Sequence, residues 1–307
     1  MAKKREKINS KGILLSMILV LVAIIGTVSL DGGENKSAGP DSSGAGSAVS
    51  GAEAFVHFID IGQGSATLVT AGDKSLLIDT GEKDYSYTLE AYINSCGISK
   101  LDYVVASHPH SDHIGGMAEV INSYEIGTFI MPELTEKNAP TTKVYETMLD
   151  ALIEQEVNAC YSEVGDVYTL CEGVSFEILG PCEQMNDLNN MSIIVKLTVN
   201  GVDFMVLGDA EEKELDSVFT AYPQTDYRSD VLVMGHHGSR TSIHDEFLAA
   251  VGAETAVISC GRDNSYGHPN QEALDYITEN GLEVYRTDLD SDIVFRCIDD
   301  GYERVDF

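Results

Sequence analysis

The sequence predicts an α+β protein built as an αββα four-layer sandwich behind an N-terminal transmembrane helix. Three observations lead there. Short β-branched runs broken by glycine occur in both halves of the chain, each set followed by helical pattern. Polar clusters sit just past strand ends, at Asp79, at residues 108–113, at Asp209 and at His236-His237. A charge-free apolar run, residues 13–30, follows a basic N-terminal segment.

The N-terminal segments come first. Residues 1–12 carry Lys3, Lys4, Arg5, Lys7 and Lys11, a basic segment expected on the cytoplasmic side. Residues 13–30 have the length and apolarity of a bilayer-spanning helix. No A-x-A cleavage pattern follows it directly, so an uncleaved single-pass anchor is preferred over a signal peptide that releases the protein. Residues 31–52, rich in Gly, Ser and Ala, read as a flexible tether. Residues 53–307 then form the folded domain, on the outer side of the cell membrane.

In that domain Phe55–Ile59, Ala66–Thr70 and Leu76–Ile78 read as a strand meander, and Leu89–Ile93 as a helix ending near Gly97. Tyr103–Ala106 is a buried strand; Gly115–Glu125 and Thr142–Glu156 are helical. Strands recur at Val174–Leu179, Ile193–Val199 and Val202–Leu207, with a helix over Glu211–Phe219. Val231–Met234 and Ala256–Ser259 are strands, and Glu246–Ala250 and Gln271–Glu279 helices. Strands near Glu283–Tyr285 and Ile293–Arg296 close the pattern.

Composition narrows the function. The formal net charge is −31. Five of the 19 basic residues and one of the 50 acidic ones precede the apolar run, which leaves 14 against 49 in residues 31–307. Such a surface repels polyanions, the opposite of a nucleic-acid-binding footprint. Trp is absent, which speaks against a Trp-lined carbohydrate surface. The six cysteines (Cys96, Cys160, Cys171, Cys182, Cys260, Cys297) permit disulfides, though scattered buried thiols fit equally well; none forms a CxxC pair.

The strongest signal is Ser107-His108-Pro109-His110-Ser111-Asp112-His113. Three imidazoles and a carboxylate in six residues suit a transition-metal site, and are too many on too short a loop for one ion. His108 and His110 can face one ion, with Asp112 and His113 turned to a second as a helix begins. Gly115-Gly116 lets backbone pack close behind. Two nearby ions need a shared carboxylate; Asp209, at a strand end, is the candidate, against the alternative of a helix cap. Of His236 and His237, also delivered by a strand, one completes the second ion. His268 is a candidate proton donor, and Asp79 a carboxylate that fixes a ligand imidazole's tautomer. His57 and His244 lack such context and read as structural.

These segments resemble the metallo-β-lactamase superfamily. His57-Phe58-Ile59-Asp60-Ile61-Gly62-Gln63-Gly64, Leu77-Ile78-Asp79-Thr80-Gly81, the histidine loop, Leu207-Gly208-Asp209, His236-His237-Gly238-Ser239 and Tyr266-Gly267-His268-Pro269 carry the likeness over residues 54–300. They are most similar to the extracellular hydrolase domain of ComEC-type DNA-uptake proteins, and more distantly to the phosphorylcholine esterase of teichoic acids. The resemblance implies the αββα sandwich and two divalent ions, zinc foremost and manganese as the alternative. It implies His108 and His110 on one ion, Asp112, His113 and His237 on the other, Asp209 between them, and His236 and His268 beside the substrate. Ser65 replaces the family's usual Asp, and Asn189 and Asn190 stand where lactamases carry a third histidine. That speaks against β-lactam hydrolysis.

The expected activity is hydrolysis of a phosphodiester by a hydroxide that the ion pair activates, with Asp112, His236 and His268 catalytic and with Ser239, Arg240 and Asn190 binding the substrate. The substrate is a small molecule, a cell-wall polymer or DNA; the membrane is met through the N-terminal helix, and no protein partner is evident. The rivals are a DNase acting on extracellular DNA and a catalytically silent surface metal-binding module.

Overall fold

The computed structural model describes residues 53–299 and 301–307. The anchor and tether expected over residues 1–52 lie outside the described residues; among those described, no helix is long and apolar enough to cross a membrane.

Two sheets form the centre. The first holds β1 (Ala54–Phe58), β2 (Thr67–Ala71), β3 (Lys74–Ile78), β4 (Lys100–Val105), β5 (Glu125–Met131) and β6 (Ala159–Tyr161). The second holds β7 (Val167–Cys171), β8 (Val174–Ile178), β9 (Val195–Val199), β10 (Val202–Val206), β11 (Val231–Val233), β12 (Thr255–Ile258) and β13 (Glu283–Arg286). The last two strands, β14 (Ile293–Ile298) and β15 (Gly301–Val305), cross back to the first sheet, whose order is β15-β14-β1-β2-β3-β4-β5-β6. The second sheet runs in order from β13 to β7. Both are mixed: β3 to β6 pair in parallel, as do β10 to β13, and the remaining neighbours are antiparallel.

The β-branched alternation explains the layering. Val56, Phe58, Val69 and Leu76 of the first sheet meet Phe176, Leu197, Phe204 and Val206 of the second in one buried cluster. The intervening residues Leu68, Leu77, Val104 and Phe129 are buried on the opposite face of the first sheet. Helices α1 (Ser86–Ser95), α2 (Ser111–Ile114), α3 (Met117–Ser123) and α4 (Lys143–Glu154) connect its strands and bury Leu89, Ile93, Val120 and Met148. On the second sheet's outer face lie α5 (Glu212–Ala221), α6 (Asp245–Val251) and α7 (Gln271–Asn280), with Leu215, Phe247 and Ile277 packed under them. A short α8 (Thr287–Asp290) precedes the crossing. Each fully buried large side chain stabilises the fold by roughly 1.5–3 kcal/mol.

Beyond β6, β7 and β15, which fall where no strand was expected, the structure differs from expectation in three further places. Gly115–Glu125 is not one helix: the backbone turns at Gly115-Gly116 between α2 and α3, and Glu125 opens β5. β5 is exposed at its start and buried only from Phe129 on, so it lacks a clean alternating signal. The strand at Ile293 leaves the second sheet to pair with β1, Val56 opposite Phe295. All six cysteines are free.

Candidate metal centre

Strand ends from both sheets deliver the site. Asp79 follows β3, the histidine loop follows β4, Asp209 follows β10 and His236-His237 follow β11. Close backbone packing holds the histidine loop. Ser65 N–H donates to the Asp112 carbonyl at 3.1 Å, and a Cβ on Gly64 would collide with that same oxygen. A Cβ on Gly115 would strike the Lys83 nitrogen. Asp79, His236 and His237 adopt left-handed backbone (φ 61°, 49° and 56°), a conformation that costs roughly 1–3 kcal/mol per non-glycine residue and clusters at functional sites.

Second partners fix the tautomer of each buried imidazole. Asp79, itself buried, accepts from Ser107 N–H at 2.8 Å, from the Ser107 hydroxyl at 2.7 Å and from His113 Nδ1 at 2.7 Å. His113 Nδ1 therefore keeps its proton in either charge state, and Nε2 is the nitrogen that gives up its proton to become a lone pair for a metal ion. His237 Nδ1 faces the Ser259 carbonyl at 2.8 Å, which fixes the same tautomer. The Ser107 hydroxyl gives its proton to Asp79 and can only accept from His108 Nδ1, at 3.2 Å, so His108 Nε2 is free as well.

Those lone pairs converge. His113 Nε2 lies 3.3 Å from His237 Nε2 and 3.0 Å from Asp209 Oδ1; His237 Nε2 lies 3.2 Å from Asp112 Oδ2. Two ring nitrogens this close repel unless a cation, either a proton or a metal ion, sits between them. Asp209 Oδ1, fully buried, has no hydrogen-bond partner. Asp112, His113, Asp209 and His237 form one such group and His108, His110 and Asp209 a second, each with its ligating atoms within 4.8 Å of one another. The donor set, nitrogen and carboxylate oxygen, fits divalent transition metals. Asp209 serves both groups: Oδ1 faces His113, and Oδ2 lies 3.6 Å from His108 Nε2.

Electrostatics favour a cation at the same place. Burial opposes charge on Asp209, yet His113, His237 and His108 together hold its carboxyl well below the usual range. Burial likewise disfavours a charged His113, but Asp209 and Asp79 outweigh it and raise its pKa well above the ordinary value. Those carboxylates stabilise any positive charge placed beside them. His108 goes the other way: burial, helped by His113, keeps it neutral and ready to ligate.

Above the ligands lies a cleft of about 490 Å³ lined by His110, Asp112, Asp209, His236, His237 and His268, among others. Gln63, Thr142, Asn189 and Tyr266 line it too. His268 Nδ1 is buried without a partner, and burial together with His236 and His237 lowers the ring's pKa to about 4.

The three expected substrate-binding residues do not line this cleft. Asn190 is buried; its Oδ1 accepts from Glu211 N–H at 3.3 Å and Glu214 N–H at 3.2 Å, capping α5. Its neighbour Asn189 reaches the cleft instead. Ser239 is buried, its Oγ accepting from Thr241 N–H. Arg240 is exposed and holds Asn270 through its backbone N–H. His57 is buried against Tyr92, and His244 caps α6 by accepting from Phe247 N–H.

Sequence reasoning missed Glu211, taken as the start of a helix. Its Oε1 accepts from the Thr241 hydroxyl at 2.9 Å and lies 3.3 Å from His236 Nδ1. One signal was available: glutamate is a poor N-cap, so a Glu at that position directs its side chain elsewhere.

The chain is similar to known proteins in sequence and in fold. Residues 59–181 match the model of the metallo-β-lactamase superfamily. ComE operon protein 3 of Bacillus subtilis is 29% identical over 263 residues, 80% of this chain and 33% of that protein. Competence protein ComA of Neisseria gonorrhoeae is 34% identical over 245 residues, 79% of this chain and 32% of that protein. The chain thus spans about a third of the length of these curated relatives. Among solved structures, YhfI, a metallo-β-lactamase fold protein from Bacillus subtilis, superposes with a TM-score of 0.53 at 15% identity, covering 80% of this chain and all of that one. CmlA, a diiron β-hydroxylase from Streptomyces venezuelae, gives 0.55 at 10% identity over 80% of this chain and 54% of its own. These two likenesses concern the fold. The chain thus carries a metallo-β-lactamase domain over residues 59–181 and is similar to competence proteins of the ComEC family.

Proposed function

We propose that the chain is a di-metal phosphodiesterase that acts on a small phosphodiester outside the cytoplasm, held to the membrane by residues 13–30. The observation that carries this reading is the pair of ligand groups sharing Asp209 at the base of an open cleft. Two divalent ions, zinc in this proposal, acidify water and neutralise charge on a phosphoryl oxygen when bound.

The chain's own residues supply the rest. His108, His110, Asp112, His113, Asp209 and His237 hold the ions, and Asp79 orients His113. Asp112 lines the cleft beside His237 and orients the attacking group. His268, neutral near pH 7 because its pKa is lowered to about 4, offers an N–H to the leaving oxygen. His236 faces the same space, its ring centroid 5.3 Å from that of His268. None of the described residues lining the cleft is Lys or Arg. A singly charged diester therefore suits it better than a doubly charged monoester.

The name of one relative, competence protein ComA, together with the resemblance to DNA-uptake proteins, favours DNA as a second reading. The acidic surface opposes it, since phosphate contacts dominate nucleic-acid affinity. The test is to incubate the full chain with bis(p-nitrophenyl) phosphate, p-nitrophenyl phosphate and duplex DNA, with and without chelator. Chelator-sensitive hydrolysis of the diester above both others is expected. Tight, salt-sensitive binding and cutting of duplex DNA would restore the nuclease.

A further inference from the structure

Glu211 lies two residues beyond the shared carboxylate Asp209, at the N-cap of α5, and does not cap its own helix. Its carboxylate turns back and ties three loops together. Oε1 accepts from the Thr241 hydroxyl at 2.9 Å and from Asn189 Nδ2 at 3.4 Å, and Oε2 accepts from Asn190 Nδ2 at 3.4 Å. The same Oε1 stands 3.3 Å from His236 Nδ1.

The other neighbour of that nitrogen is the Thr241 hydroxyl, also at 3.3 Å. Thr241 has already given its proton to Glu211, so both groups facing His236 Nδ1 are acceptors. The nitrogen must then carry a proton. The lone pair is left on Nε2, which lies 3.7 Å from Asp209 Oδ2. His236 needs this support: its backbone is left-handed at φ 49°, and its side chain is 22% exposed, so packing alone does not fix the ring.

We infer that Glu211 is a positioning residue for His236: it fixes the ring's tautomer and rotation so that Nε2 presents its lone pair to the reacting group in the cleft. The inference deepens the hydrolase reading and rests on it. Asp79 holds the neighbouring His113 in the same way, by accepting from its Nδ1 at 2.7 Å. Outer partners of metal-ligating histidines are worth about 10–100-fold in activity, and a loss of that order is expected for a histidine beside the reacting group.

The experiment uses the full chain, metal-free and zinc-loaded, with bis(p-nitrophenyl) phosphate as substrate. Long-range ¹H–¹⁵N spectra, with His236 assigned from His236→Ala, report the tautomer. In Glu211→Ala the His236 signal is expected to leave the Nδ1–H pattern. Its kcat should fall about tenfold or more with KM within about twofold, and metal content should stay unchanged. Placed in the His236→Ala background, the same substitution should cost less than about twofold, since the ring it serves is gone. If Glu211→Ala does not fold, Glu211→Gln keeps the size, removes one of the two oxygen acceptors, and gives the same readouts with a smaller loss. An unchanged tautomer, an equal loss in both backgrounds, or a signal that moves in Thr241→Val but not in the Glu211 variants would overturn the inference. A His236→Ala chain as active as wild type would instead remove His236 from the hydrolase reading, and the tautomer spectra would still decide what Glu211 does.

Discussion

The two ligand groups of the candidate metal centre share Asp209 but are built differently. On one side His113 and His237 are both buried, and each is fixed by a strong acceptor at Nδ1, Asp79 for one and the Ser259 carbonyl for the other. Four protein donors meet there. On the other side His108 is buried but leans only on a serine hydroxyl, His110 is half-buried at the cleft wall, and three donors meet. The contrast separates a holding half from a working half: rigid, fully supplied ligands retain an ion, whereas an open position admits water or substrate.

Removing the shared group should have the largest effect. Asp209→Ala takes a donor from both halves, and both ions should be lost. Turnover of the small diester should drop at least about a thousandfold, or about 4 kcal/mol. Elemental analysis beside the assay checks this; two ions per chain in the variant would break the idea of a shared ligand. Asp79→Ala is the sharper probe of the holding half. It leaves the Ser107 amide without its acceptor in the interior, at a cost of about 1–3 kcal/mol, and leaves His113 Nδ1 with only the Ser107 hydroxyl at 3.3 Å. Metal affinity should fall about 10–100-fold. Denaturant unfolding should therefore register this variant more strongly than a change at half-buried His110.

The candidate ligands stand out in the sequence for a simple reason. Three histidines and an aspartate within six residues, directly after an apolar strand, have few other uses, and Asp209 and His236-His237 repeat the strand-end placement. The two-sheet architecture was legible from alternating β-branched runs. What stayed hidden depends on distance. Nothing in residues 293–298 says that they pair with residues 54–58, because periodicity reports a face and not a partner. Asn190 shows the same limit inside the site: two adjacent asparagines look alike, and only the turn at residues 189–191 decides that one caps α5 while the other meets the cleft.

That distinction reshapes the test of the working half. Mild chelation should remove the ion held by His108, His110 and Asp209 first and leave an inactive one-metal chain. The affinities of the two halves should differ by about tenfold or more, as one donor fewer implies. An added imidazole belongs at position 189, since Asn190 is spent on the helix. Asn189→His should narrow the gap and slow turnover by filling the open position. Calorimetric titration checks both; two equal sites, unchanged in the variant, would erase the contrast.

The smallest effect concerns what stands behind the working half. Glu214 donates its backbone N–H to Asn190, and its side chain is completely buried with both carboxylate oxygens unpartnered. Burial, with Asp187 adding repulsion, pushes its pKa well above the ordinary glutamate value. The folded chain thus binds this proton more tightly than the unfolded one. The resulting stability is fully present below the unfolded glutamate pKa, about 4.3, and is lost as pH rises through the folded value. Glu214→Gln cannot ionise, so its stability relative to wild type should climb over that same window. Urea unfolding of both chains across the pH range measures the difference directly, and effects common to the histidines cancel in the subtraction. The gain should appear in stability and leave the metal stoichiometry untouched, because Glu214 belongs to neither ligand group. A difference that stays flat with pH would mean that the buried carboxyl is as easily ionised in the fold as outside it, and that the turn carrying Asn189 and Asn190 does not rest on a protonated acid.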